Sequence, residues 1–120
     1  MKGTSKTILV PTDFSKVAEY ALQHAVRVSN VVKEPISILH IVQSEAQVNE
    51  AKQKLAEIIA GVKDKYGIEP NPIVRIGSIF VDIAKVANEI NASIVIMGSS
   101  TIREMDESRV SWTLKVITSC

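Results

Sequence analysis

Two short stretches of this chain carry residue types that could hold an anionic or hydroxyl-rich ligand. In "VPTDFS", Val10 to Ser15, Thr12 and Asp13 follow a short apolar run. In "MGSS", Met97 to Ser100, a second apolar run breaks at Gly98 and leads into two serines. A glycine at such a break lets bare backbone N–H groups come close to a phosphate, often at positive φ. Past Gly98, however, no further glycine follows, and Glu104, Asp106 and Glu107 add charge that repels a triphosphate at short range. Arg103 and Arg109 offset that charge only in part.

Other chemistries find less support. His24 and His40 have no partner at metal-ligand spacing and read as a surface and a core histidine. Ser15, Ser99, Ser100 and Ser111 have no visible base, so a hydrolase nucleophile has no basis. The glycine fingerprint of dinucleotide folds is absent after the first apolar run, and no "GK[ST]" occurs. Cys120 is the only cysteine, which excludes a disulfide framework and a cysteine-rich metal site. With a formal net charge of +1, the chain has no broad footprint for nucleic acid or an anionic membrane. The start, "MKGTSKTILVPTD", is too short an apolar run for a signal peptide, and no later run reaches membrane-spanning length. The expectation is a soluble cytoplasmic protein. Its 120 residues, 46% hydrophobic and 22% charged, suit a single globular domain over 1–120.

The elements that must position these residues alternate regularly. "TILVP", "ISILHIV", "PIVRIG" and "SIVIMG" read as strands, the first two and the last buried on both faces. Arg75 inside the third places it nearer a sheet edge. Between the strands, Val17, Ala18, Ala21, Leu22, Ala25, Val26 and Ser29 mark one helical face, with Asp13 or Ser15 as its cap. Val48, Ala51, Leu55, Ile58, Ile59 and Val62 mark a second helix that stops at Gly67. Phe80, Ile83, Ala84, Ala87 and Ile90 mark a third, closed by Asn91. Val110, Leu114 and Ile117 predict a weaker helix through "SRVSWTLKVITSC". Such alternation means a doubly wound parallel sheet in a three-layer α/β/α fold, with ligands bound beyond the carboxyl ends of the strands.

In order, spacing and residue type, "ILVPTDFS", "ISILHIV" and "RIGSIFVDIAKVANEINASIVIMGSS" together resemble the universal stress protein family over nearly the whole chain. The resemblance implies a nucleotide-binding-like fold with strand order 3-2-1-4-5, homodimers, and cytoplasmic roles in stress resistance. Some members bind ATP through a G-x2-G-x9-G-[ST] motif after the fourth strand; others bind none. Here Gly98 matches the first glycine, while Thr101 and Ser111 stand at the second and third, and Trp112 takes the Ser/Thr position. Threonine adds a β-branched side chain where positive φ is needed. Tryptophan removes a hydroxyl and adds a ring.

The resemblance also places Thr12, Asp13 and Val42 in the cleft, Asp13 beside the ribose and the backbone near Val42 at the base. Asp13 is read mainly as a helix cap. The resulting expectation is a vestigial cleft made of Thr12, Asp13, Val42, Gly98, Thr101 and Ser111. No cofactor, no metal and no catalysis are expected, and the module acts through protein association. The alternative is an adenine-nucleotide switch or slow ATPase binding ATP or AMP weakly. A receiver domain, the nearest rival fold, needs an acidic cluster that Asp13, standing alone, does not supply. The family's fifth strand is expected to be missing, leaving the order 3-2-1-4 with Ile94 to Met97 as a bare edge. That edge suggests a fragment or one half of a tandem protein, with a homodimer or a tandem-domain partner covering it.

Overall fold

The computed structural model describes residues 6–98 and 113–117. Thr7–Pro11 forms β1, whose five residues are all buried, as expected of an apolar run at the centre of a parallel sheet. Helix α1, Lys16–Val32, buries Ala18, Ala21, Leu22, Ala25, Val26 and Ser29, while Val17 is only half-buried. Strand β2 is Ile36–Val42, and a short turn of 3₁₀ helix, Glu45–Gln47, leads into α2, Val48–Tyr66. That helix ends where Gly67 adopts φ 75, the left-handed conformation that closes a helix and that glycine reaches without steric cost. Strand β3 is Asn71–Ile76, helix α3 is Ile79–Glu89 and strand β4 is Ala92–Gly98. Asn91, at φ 61, turns the chain from α3 into β4.

The four strands run parallel in the order β3-β2-β1-β4, as the alternation requires, with the mostly exposed β3 at one edge. One face, carrying Ile8, Val10, Ile36 and Ile38, packs against α1 and α2. The other, carrying Leu9, Leu39, Val95 and Met97, packs against Ile83, Val86 and Ala87 of α3. Leu55 of α2 is fully buried, and burying such a side chain contributes about 1.5–3 kcal/mol.

The other edge corrects the expectation of a helix and a bare strand. Thr113–Ile117 forms a strand, β5, parallel to β4, in register from Ile94↔Thr113 to Gly98↔Ile117. The sheet therefore has five strands in the order β3-β2-β1-β4-β5. Thr113, Val116 and Ile117 are β-branched, which favours the extended chain. Pairing also satisfies the ladder groups that β4 would otherwise leave open. Three-residue spacing in so short a stretch does not outweigh those two effects.

Gly98 closes β4 against the first turn of α1. A Cβ there would lie 2.3 Å from the Val17 carbonyl oxygen and 2.4 Å from Val17 Cγ1, closer than any packed atoms allow. The glycine is thus required by helix packing, whatever the site binds. Gly98→Ala is expected to lower stability by about 1–3 kcal/mol, as overpacking does. Urea unfolding checks this; an unchanged midpoint would mean that α1 shifts freely on the sheet.

Candidate functional site

The chemistry-bearing residues gather at the carboxyl edge of the sheet, where the N-termini of α1, α2 and α3 also begin. A helix start leaves about four backbone N–H groups without intrahelical partners. How each start satisfies them decides what the edge can bind.

After β1, the Thr12 N–H donates to the Leu39 carbonyl at 2.8 Å, and the Thr12 carbonyl meets His40 Nδ1 at 2.8 Å. A carbonyl can only accept, so Nδ1 carries the proton. The His40 ring also stacks on Phe14, with centroids 4.2 Å apart, and the Lys54 ammonium stands 5.2 Å from the Phe14 centroid. These contacts hold Phe14 at φ 65, a conformation that costs a non-glycine residue about 1–3 kcal/mol and persists only where its surroundings enforce it. The turn lets the Phe14 N–H reach Thr12 Oγ1 at 3.1 Å and the Ser15 N–H reach Asp13 Oδ1 at 3.0 Å. Ser15 is the cap of α1, its Oγ accepting from the Ala18 N–H at 3.2 Å. Of the two cap candidates in the sequence, Ser15 takes the role. Asp13 anchors the cap residue's own N–H and is exposed.

After β2, Val42 is buried and its carbonyl accepts from the Gly77 N–H at 3.0 Å. The next two donors, the Gln43 and Ser44 N–H groups, both point to Gln47 Oε1, at 2.9 and 3.2 Å. After β3, Asp82 reaches back to the start of α3, where its Oδ2 accepts from the Ser78 N–H at 2.7 Å. A Cβ at Gly77 would sit 2.1 Å from that oxygen, so the carboxylate fills the space beside the turn. Each helix start is thus served by a side chain of this molecule.

Of the six residues that the sequence singles out, Thr12, Asp13, Val42 and Gly98 lie at this edge, and Thr101 and Ser111 fall outside the described residues. Three further participants were not singled out. Gln47 had a readable signal, since "SEAQ" is a capping-box spacing and the structure forms that box. His40 was visible only as an interruption of an apolar strand; it ties β2 to the β1 loop. Asp82 carried no signal beyond an acid in the first turn of a helix.

Two cavities adjoin the edge. The larger, about 570 Å³, runs between α1 and α2 and is bordered by Thr12. The smaller, about 220 Å³, lies at the end of β2 and is bordered by Phe14, His40, Val42 and Gln47. Asp13 and Gly98 border neither. Among the described residues no group of three or more His, Cys, Asp or Glu side chains could hold a metal ion.

Replacing the cap should separate the roles of the two loop residues. Ser15→Ala is expected to cost about 1 kcal/mol, the usual loss of an N-cap, and Asp13→Ala clearly less. Denaturant unfolding of both variants checks the order, and equal or reversed losses would reassign the cap.

With the geometry in place, comparison with known proteins is informative. The model of the universal stress protein family matches residues 4–114. A universal stress protein of Methanocaldococcus jannaschii is 28% identical, the match covering 78% of this chain and 76% of that protein. The universal stress protein of Archaeoglobus fulgidus, solved in complex with dAMP, superposes with a TM-score of 0.78 at 19% identity, covering 98% of this chain and 99% of that one. UspA from Lactobacillus plantarum superposes with a TM-score of 0.74 at 16% identity, covering 93% and 97%. The family match extends from the first strand into the last and includes both strand-end loops. The chain therefore belongs to the universal stress protein family.

Proposed function

We propose that this domain is a non-catalytic stress-response and signalling module with a degenerate nucleotide cleft, acting in the cytoplasm through protein association. A second copy of the chain or a tandem-domain partner is the natural associate. The observation that carries this reading is the self-capping of the carboxyl edge. Phosphates bind helix starts because backbone donors there lack partners. Here the Ser15, Ala18, Gln43, Ser44 and Ser78 N–H groups already donate to Asp13, Ser15, Gln47 and Asp82. A phosphate at one of these three helix starts would have to displace such contacts, two of them to carboxylates that also repel it.

The sequence past Gly98 supports the same reading. Thr101, Ser111 and Trp112 stand where the motif of ATP-binding members has two glycines and a Ser/Thr, and Glu104, Asp106 and Glu107 concentrate negative charge.

A second reading, an adenine-nucleotide switch or slow ATPase, draws on the dAMP complex of the Archaeoglobus protein and on the exposure of Asp13. Calorimetric titration with ATP, ADP, AMP and cAMP, with and without magnesium, separates the two. No saturable heat and no thermal stabilisation by millimolar nucleotide is the expected result. Saturation at micromolar concentration would overturn the degenerate-cleft reading.

A further inference from the structure

We infer that the cleft between α1 and α2 binds an uncharged, apolar molecule bearing a carbonyl-type acceptor at one end. At about 570 Å³ it falls in the range of small-molecule sites, which are mostly apolar with a few convergent polar groups. It lies over Val10 and Ile38 of the sheet, which are themselves buried, and between α1 and α2 it meets the half-buried Ile58 and the edges of Leu22 and Val62. Phe14 closes one end and the half-exposed Tyr66 the other, so rings flank the apolar span.

The polar groups define the occupant further. Thr12 and Ser15 border the cleft at its Phe14 end. Each hydroxyl oxygen already accepts from a backbone N–H, Phe14 for Thr12 and Ala18 for Ser15. Neither hydroxyl hydrogen has an acceptor among the described residues, so both remain as donors for a ligand carbonyl. The charged groups on the rim are Glu19, Glu57, Lys54 and Lys65, two of each sign. Their fields oppose one another, and an ionic head gains little there. An uncharged ligand matches that balance.

Gly61 supplies an independent observation. It lies in the interior of α2 and borders the cleft, where glycine is the worst helix former after proline. A Cβ at this position would meet nothing within 4 Å, so packing within the chain does not require a glycine. What it leaves is open room along the cleft wall. The cleft shares Thr12, Phe14 and Ser15 with the loop after β1 but includes neither Asp13, Val42 nor Gly98.

Nile red, an uncharged apolar dye with a ring carbonyl, is a suitable probe for titration of the full chain. The expected result is a saturable rise in fluorescence with one site. Amide shift changes should be confined to the neighbourhood of Leu22, Ile58, Gly61 and Val62, and millimolar ATP should not displace the dye. Gly61→Leu, which fills the wall with a good helix former, should retain the fold and weaken binding by about tenfold or more, as when side-chain bulk replaces an apolar ligand group. Non-saturable binding would overturn the proposal. So would shifts centred on the exposed Val31 or Val81, undiminished binding by the folded Gly61→Leu protein, or displacement by ATP. The last result would place the dye in the nucleotide cleft instead.

Discussion

The structure depends on a central strand that is apolar on both faces. Ile8, Leu9 and Val10 of β1 have no exposed surface, one helix layer covering the first and third and the other covering the second. A strand so enclosed can carry no chemistry along its length, because an unpaired polar group there would lose its hydration without return. All polar work is displaced to the strand ends. At the carboxyl end that edge coincides with three helix starts, each with unsatisfied donors. The choice left to the sequence is whether a ligand or the chain itself supplies the acceptors.

The amino edge shows what a purely structural solution looks like. Thr7 Oγ1 donates to the Pro35 carbonyl at 3.0 Å and lies 3.0 Å from Ser37 Oγ, while Ser29 Oγ donates to the Glu34 carbonyl at 2.6 Å. The Glu34 carboxylate then accepts from Ser93 Oγ at the start of β4. These groups join α1, β1, β2 and β4 and satisfy one another. The carboxyl edge shares part of this arrangement. Asp13, Gln47 and Asp82 do there what Thr7, Ser29 and Ser93 do at the opposite end. A binding edge differs from a structural one by leaving donors unmet, and here the Ser15, Ala18, Gln43, Ser44 and Ser78 N–H groups are met within the chain.

Most of the fold was legible because each element answers to one local rule. The run "TILVP" cannot be other than interior, and Gly67 stops α2 by its backbone freedom. The α1 stripe matches the buried residues in all but Val17, while Val48, Ile58, Ala84 and Ile90 are only half-buried and Val86 is buried without having been read as part of a stripe. The last strand was not read as one, because "TLKVI" carries a weak helical stripe alongside the β-branched residues that favour a strand. Only the unpaired ladder of β4 decides between them, and that is a tertiary fact. The site was half legible. Asp13 and Ser15 are both good caps by type, and the choice rests on the left-handed turn at Phe14. That turn depends on His40, 26 positions along the chain and on another strand. The cleft beside Gly61 could not be read at all, since it exists only between two packed helices.

Gly98 shows why a motif residue must be weighed by what it touches. Read as the first glycine of a phosphate loop, it argues for a nucleotide. Placed against the Val17 carbonyl, it is needed by α1 in this chain whether or not a ligand binds. Its presence is therefore compatible with either function and discriminates neither. Asp13 and Val42 are similar, since one holds the cap residue and the other pairs with Gly77. The positions that set the phosphate motif apart are its later glycines and its hydroxyl residue, and in this chain they read Thr101, Ser111 and Trp112. Gly98, Asp13 and Val42 are thus held by the architecture whether or not a ligand binds.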